Sequence, residues 1–146
     1  MKERDLETIL DFGAGALRHA VPLLRAGFNV IAVEYEIAYS RPKAAEARKA
    51  AQRFSGFTEL VWPADSVRSK LKYDVAILAF VLQVVPVKIE RKVIIDEIAK
   101  RFDPNGPRRL YYASRYGDGP KLPDENRYND GWIKGCGQHD LIFYTE

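Results

Sequence analysis

The chain has 146 residues, 47% of them hydrophobic, which suffices for one domain of ordinary size with a buried core. Its formal net charge of +3 is too small to indicate a nucleic-acid-binding protein, and no apolar run approaches the roughly twenty residues that cross a bilayer. The single cysteine, Cys136, excludes an intrachain disulfide, and the charged residues 1–5 do not resemble a signal peptide. We therefore expect a cytoplasmic protein with no membrane segment.

Residues 8–36 have the pattern of a strand, a loop, a helix and a second strand. A short apolar run over 8–10 ends in an acid, Asp11, and a glycine pair follows at Gly13 and Gly15. Apolar side chains then recur at helical spacing on one predicted face. These side chains are Leu17, Ala20, Val21 and Leu24.

This unit closes with a second acid. Gly27 lies where the end of a helix favours a residue that adopts positive φ, and the apolar run 30–33 predicts a buried strand that ends at Glu34. A strand, a glycine turn, a helix, a strand and an acid, in this order, are typical of folds that hold a nucleoside-like cofactor.

The chain then continues to alternate between strands and helices. The patterns predict a loop over 35–40, a helix over 43–54, a strand over 58–62, one or two helical turns over 66–71, a buried strand over 73–80, a helix over 86–102 and a strand over 109–113. Five strands that alternate with helices predict an α/β, Rossmann-like parallel sheet with helices on both faces. In such sheets ligands bind beyond the carboxyl ends of the strands.

The alternation stops after Ser114. Residues 116–140 are rich in glycine, proline and short polar residues and contain no convincing helix, which indicates an irregular lid or binding loop. A late strand, predicted to be antiparallel, follows at 141–144. We expect a single domain, 1–146, made of a cofactor-binding core (1–115), the irregular segment (116–140) and the late strand (141–146).

Taken together, residues 8–115 resemble the class I methyltransferases that use S-adenosylmethionine. L-D-F-G-A-G-A-L is similar to the first motif of that family, and A-V-E ends the second strand as the family's ribose-binding acid does. W-P-A-D-S is similar to the adenine-binding turn, and Y-D-V-A-I-L-A-F-V-L-Q-V-V to the fourth motif.

The resemblance implies a site for S-adenosylmethionine, with S-adenosylhomocysteine as the product. Gly13 and Gly15 would let the backbone approach the methionine part, while the helix after them would point its amides at it. Asp11 would order the loop and the cofactor's amino group, and Glu34 would accept hydrogen bonds from both ribose hydroxyls.

The adenine end of the cofactor is assigned by the same resemblance. Asp65 would bind the exocyclic amine and the Ser66 backbone would meet the ring edge, although an aspartate in this turn is also an ordinary helix N-cap. Phe80 would lie near the cofactor and Gln83 would face the region of methyl transfer.

The chain departs from the family pattern in its first motif. Leu17 and Arg18 stand where a third glycine is often found, and Arg18 either binds the cofactor carboxylate or is a surface arginine. The loop after the central strand lacks an N/D-P-P-Y/F signature, which argues against the amide- and adenine-amine-methylating branches.

The sequence does not identify a catalytic residue. Weak candidates for a catalytic role are Gln83, His139 and Tyr116. Cys136 and His139 form a C-G-Q-H pair, but a second pair of ligands is lacking, so we expect no metal site.

The leading interpretation is a methyltransferase that acts by in-line displacement on a small-molecule or protein acceptor, with a small molecule favoured. One alternative is a shortened, non-catalytic subunit that binds the cofactor or a partner chain, as a homo-oligomer or with another protein, at an exposed sheet edge. The other is an NAD-type nucleotide-binding protein, although its fingerprint would require glycine at Arg18. Binding to nucleic acid or to a membrane is not expected.

Overall fold

The computed structural model describes residues 7–82, 85, 87–113, 127–128, 131–135 and 141–145. Its strands and helices follow in chain order as β1 (Thr8–Phe12), α1 (Ala20–Arg25), β2 (Asn29–Tyr35), α2 (Glu36–Tyr39), α3 (Pro42–Ala51), β3 (Phe57–Trp62), α4 (Ala64–Arg68), β4 (Val75–Ala79), α5 (Lys88–Lys100), β5 (Arg109–Ala113), β6 (Arg127–Tyr128), β7 (Gly131–Gly135) and β8 (Leu141–Thr145). The chain divides into two compact units, Met1–Leu78 with Arg101–Tyr111, and Ala79–Lys100 with Tyr112–Glu146.

The main sheet has five strands in the order β3-β2-β1-β4-β5. β1 is central and pairs in parallel with β2 and with β4, so that Asp11 is flanked by Ala32 on one side and Ile77 on the other. The chain runs outward from β1 to β3 and then returns to the other side of β1, which makes the β1–β4 boundary a topological switch point. The predicted α/β, Rossmann-like parallel sheet is confirmed.

The helical face predicted after the glycine pair packs into the core of the first unit. Leu17, Ala20 and Leu24 are buried and cluster with apolar side chains of β2 and with Ala51 of α3. Val21 packs against this cluster but is only partly buried. Helix α1 therefore packs against β2 and against α3.

Gly27 ends α1 as predicted, with φ of 92° and no atom within 4 Å of the position that a Cβ would occupy. We expect Gly27→Ala to lower the free energy of unfolding by about 1 kcal/mol, because alanine gains a strained backbone but meets no neighbour. Urea unfolding measures the change. Asparagine tolerates this conformation better, so Gly27→Asn should cost less, and an equal loss in both variants would contradict this explanation.

Residues 35–40, predicted as a loop, contain the four-residue helix α2. Tyr39 holds it in place, since its side chain is 2% exposed and its hydroxyl donates to the Ala32 carbonyl at 3.1 Å. The Arg48 guanidinium lies 4.3 Å from the centre of the Tyr39 ring and also pairs with Glu59. A single buried aromatic side chain stabilises a helix too short to show periodicity.

The bounds of several elements differ from those predicted from the sequence. α4 spans Ala64–Arg68, earlier than the predicted 66–71, while α3, β4 and α5 are shorter than their apolar patterns suggested. On α5, Ile94 and Ile98 are buried together with Arg91, whereas Ile89 and Val93, which share the predicted spacing, are exposed. Arg91 shares the buried face with the two isoleucines, which the long apolar stem of an arginine allows.

The second sheet lies in the C-terminal part of the chain and has the order β6-β7-β8. β7 pairs antiparallel with both neighbours, and its register with β8 places Trp132 opposite Tyr144. The late antiparallel strand is thus present. The sequence suggested no strand between 116 and 140, yet β6, of two residues, and β7, of five, lie there. The predicted domain boundaries stay a prediction.

The helices in the described part of the chain lack the length and apolar character needed to cross a bilayer.

Candidate cofactor site

The loop between β1 and α1 is built on left-handed backbone. Gly13 has φ of 75° and Gly15 has φ of 50°, conformations that glycine adopts without strain. The amides of Gly13 and Ala14 both donate to the Val33 carbonyl, at 2.8 and 3.1 Å. The glycine loop is therefore held against the carboxyl end of β2.

Glu34 follows Val33 and ties the second acid to the glycine loop. Its Oε2 accepts a hydrogen bond from the Gly15 amide at 2.9 Å, and its Oε1 accepts one from the Tyr35 amide at 2.8 Å. The two acids and the two glycines predicted from the sequence are thus neighbours in space. The Gly15–Glu34 hydrogen bond itself was not predicted, since no sequence spacing reports it.

Asp11 lies at the end of β1 and is 1% exposed. Its Oδ1 lies 3.6 Å from Nδ1 of His19, while its Oδ2 is buried and has no hydrogen-bond partner among the described residues. Burial raises the pKa of Asp11 from 3.8 to about 6, although His19 and the Ala20 backbone oppose the rise. A buried carboxylate oxygen without a donor is unfavourable and indicates that a ligand supplies the donor.

Leu17 occupies the position where the family often has its third glycine. Its backbone has the left-handed conformation that glycine favours, with φ of 56°, and its side chain is buried, with 1% exposed. The predicted helical face began at Leu17, but α1 begins only at Ala20. That the amides of this helix point at the cofactor stays a prediction. Arg18, the next residue, is exposed.

Asp65 and Ser66 follow β3, the neighbour of β2 in the sheet. Asp65 is exposed and its Oδ2 accepts a hydrogen bond from the Val61 amide at 3.2 Å, whereas Ser66 is 5% exposed. The alternative that Asp65 is the helix N-cap is wrong, because Pro63 holds that position of α4. Their contacts with adenine remain a prediction.

The remaining predicted site residues come later in the chain. Phe80 directly follows β4, is 51% exposed and has φ of 59°. The three catalytic candidates, Gln83, Tyr116 and His139, lie outside the described residues, as does Cys136. Within the described ranges, no three His, Cys, Asp or Glu side chains form a group that would hold a metal ion.

His19 was not identified from the sequence as a neighbour of Asp11. It lies in the last turn of the glycine loop, and its imidazole reaches Asp11 because three left-handed residues fold the loop back. Its proximity in the chain to the first motif was the one available signal.

Sequence comparisons found no match, either to a family model or to a curated protein. Solved structures are similar in fold. The 1,6-didemethyltoxoflavin-N1-methyltransferase of Burkholderia thailandensis, with bound 1,6-didemethyltoxoflavin and S-adenosylhomocysteine, has a TM-score of 0.66 at 20% identity over 96% of this chain. A methyltransferase from Methanosarcina mazei, described as SAM-dependent (S-adenosylmethionine-dependent), has a TM-score of 0.65 at 16% identity over 98% of this chain and 74% of its own.

A third similar structure is the glycopeptide N-methyltransferase MtfA complexed with S-adenosylmethionine, with a TM-score of 0.56 at 17% identity over 68% of this chain. This chain covers 54% of the Burkholderia enzyme and 41% of MtfA, about half the length of each. The predicted resemblance is confirmed at the level of the fold: the chain has the Rossmann-like fold of the class I methyltransferases.

Proposed function

We propose that the chain is an S-adenosylmethionine-dependent methyltransferase that transfers a methyl group to a small-molecule acceptor by in-line displacement. The observation that carries the proposal is an oxygen of buried Asp11 for which the described residues supply no donor, near Glu34 and the glycine loop at the carboxyl ends of β1 and β2. The similar structures support it, because the Burkholderia enzyme holds S-adenosylhomocysteine and 1,6-didemethyltoxoflavin, and MtfA holds S-adenosylmethionine.

The two acids would divide the cofactor between them. Oδ2 of Asp11, which lacks a hydrogen-bond partner in the part of the chain that the structure describes, suits a cation such as the ammonium of an α-amino acid. A carboxylate offers roughly four lone-pair sites, of which the Gly15 and Tyr35 amides use two on Glu34. The remaining two match the two hydroxyls of a ribose, and Gly15, which lacks a side chain, allows the ligand to approach.

S-adenosylmethionine, when bound, would supply an electrophilic methyl group on a sulfonium. The chain's own contribution would then be to fix the geometry between that methyl group and the acceptor nucleophile. Positioning alone contributes up to roughly 7–11 kcal/mol to the lowering of a barrier, so a dedicated base is not required. Gln83, Tyr116 and His139 remain predicted candidates for any such base, and Arg18 for the cofactor carboxylate.

Calorimetry with S-adenosylmethionine and S-adenosylhomocysteine tests the proposal. We expect Glu34→Gln to weaken binding about tenfold or more, since hydrogen bonds to a charged group contribute roughly 1.5–3 kcal/mol. With its amide oxygen toward Gly15 the glutamine keeps that hydrogen bond, and its NH2 group, a donor, loses only the one from Tyr35, so the loop should keep its place. Glu34→Ala should weaken binding further because it also releases the loop.

Glu46→Gln is the matched control, since Glu46 is an exposed glutamate on α3 and its replacement should leave binding unchanged. NAD, the ligand of the alternative interpretation, is expected not to bind. The proposal fails if the wild-type protein binds neither S-adenosyl compound, or if both Glu34 variants bind them as well as it does.

A second candidate function is favoured by β5, the outer strand of the main sheet. Its neighbour within the described residues is β4, and Leu110, Tyr111 and Tyr112 are 47%, 58% and 55% exposed. An exposed apolar edge strand pairs readily with a further strand. In this reading the chain binds the cofactor and a partner chain without catalysing transfer itself.

Sedimentation and an acceptor screen separate the two candidates. A partner-dependent chain should self-associate or co-sediment with its partner, and Leu110→Lys should abolish that association. A stable monomer that methylates an acceptor unaided would rule out the second candidate.

A further inference from the structure

The imidazole of His19 is the basic side chain that the structure places beside the buried carboxyl of Asp11. Nδ1 of His19 lies 3.6 Å from Oδ1 of Asp11, and the His19 side chain is 47% exposed while that of Asp11 is 2% exposed. His19 therefore connects a buried acid to solvent. The other oxygen, Oδ2, is buried and has no hydrogen-bond partner in the described part of the chain.

Two titratable groups shift the pKa of Asp11, and a third titratable group, Tyr39, is itself affected by the Asp11 charge. His19 approaches from the turn before α1, Glu34 from the end of β2 and Tyr39 from α2. Ile77 of β4, on the remaining side, is apolar. Of these groups, His19 favours the ionised form of Asp11, whereas the Glu34 carboxylate disfavours it.

We propose that His19 is a positioning residue that holds one oxygen of the Asp11 carboxylate, keeps that carboxylate ionised, and leaves the other oxygen for the ammonium group of an α-amino-acid ligand. The ligand class follows from the geometry, because a single buried carboxylate oxygen is matched by a compact cation with several donors. This inference rests on the proposed function, in which that ammonium belongs to S-adenosylmethionine or its product.

The inference makes affinity depend on pH in a specified direction. Only ionised Asp11 attracts an ammonium, and its pKa of about 6 places the change close to neutrality, so affinity should rise as pH increases through 6. Without His19 the pKa of Asp11 should rise further, because only the Ala20 backbone would then oppose the increase that burial causes. The rise in affinity should then shift to higher pH.

Calorimetry of His19→Gln at pH 6 and pH 8 is the test, with S-adenosylhomocysteine and with 5′-methylthioadenosine, which shares its adenosine and thioether but lacks the amino-acid part. At pH 6 we expect S-adenosylhomocysteine to bind His19→Gln about threefold to tenfold more weakly than it binds wild type. A shift of one pKa unit changes the ionised fraction of Asp11, and with it the affinity, by at most about tenfold. At pH 8 the two proteins should agree within about twofold.

Methylthioadenosine should bind both proteins equally at both pH values. Arg25→Gln, which removes an exposed cation from the last turn of α1, is the control for net charge and should leave both ligands unaffected. A loss for His19→Gln that is equal at both pH values, or equal for both ligands, would assign His19 a merely structural role and overturn the inference.

A second measurement does not need the ligand. The carboxyl carbon of Asp11, observed by ¹³C NMR in the ligand-free protein, should titrate at higher pH in His19→Gln than in wild type. An unchanged midpoint overturns the inference while leaving the proposed function intact. Failure of wild type to bind either nucleoside would instead overturn both.

Discussion

Replacing Asp11 with asparagine is expected to stabilise the ligand-free protein at pH 7 by about 3 kcal/mol. The wild-type carboxyl is 1% exposed, and burial raises its pKa from 3.8 to about 6. The two values lie about 2 units apart, and each unit corresponds to about 1.4 kcal/mol of unfavourable interaction once the group is ionised. Asparagine has the same shape and remains uncharged.

The pH dependence of stability has a definite sign. Folded Asp11 holds its proton more tightly than unfolded Asp11, so its favourable contribution is complete below the unfolded pKa of 3.8. That contribution is lost as the pH rises through about 6, and above this pH the full penalty of a buried charge remains. The Asp11→Asn variant should lack this loss between pH 4 and 6.

Urea unfolding of the ligand-free protein across this pH range measures both effects. Asp96→Asn is a suitable control, because Asp96 pairs with Lys92 on the exposed face of α5, where such pairs contribute little. The same variant, Asp11→Asn, should bind S-adenosylhomocysteine at least about tenfold more weakly. A variant that is less stable than wild type at pH 7, or that keeps the wild-type pH profile, would contradict this account of Asp11.

Substitutions at Leu17 should remove about 2–5 kcal/mol of stability, because its side chain is 1% exposed within the core of the first unit. The informative quantity is the difference between alanine and glycine at this site. Leu17 has φ of 56°, so glycine relieves roughly 1–2 kcal/mol of backbone strain that alanine retains. Leu17→Gly should therefore be no less stable than Leu17→Ala.

Leu24 provides the matched comparison, since it is equally apolar, buried in the same cluster and part of helix α1. There glycine should be about 1 kcal/mol less stable than alanine, as in any helix interior. Chemical denaturation of the four variants gives both differences. The same order of stability at the two positions would show that the left-handed backbone of Leu17 carries no strain.

The strands and the site acids were accessible from the sequence because each has a local signature. The run over 75–79 is apolar on both faces, as a central parallel strand requires, and the order of the acids and glycines along the chain places them at neighbouring strand ends. The sheet itself follows from right-handed crossovers between parallel strands. These features depend on periodicity and connectivity, which a sequence displays directly.

The features that the sequence did not reveal depend on contacts between distant residues or on single backbone angles. The helix α2 depends on Tyr39 reaching the carbonyl of Ala32, and four residues are too few for a period. A leucine in the sequence does not indicate a left-handed backbone conformation such as that of Leu17. The late start of α1 and the approach of His19 to Asp11 were therefore both missed. The buried position of Arg91 was missed for the same reason, since burial of a charged side chain is decided by its surroundings.

Glu34 links the position of the glycine loop to the recognition of the ribose, two properties that a redesign would need to vary separately. Its one carboxylate holds the glycine loop through the Gly15 amide and, in the proposed function, also accepts hydrogen bonds from the ribose hydroxyls. Any redesign of Glu34 toward a ligand with an altered sugar would therefore also alter the loop that receives the amino-acid part at the other end. Broadened cofactor choice in this protein has to begin with a substitute anchor for the Gly15 amide.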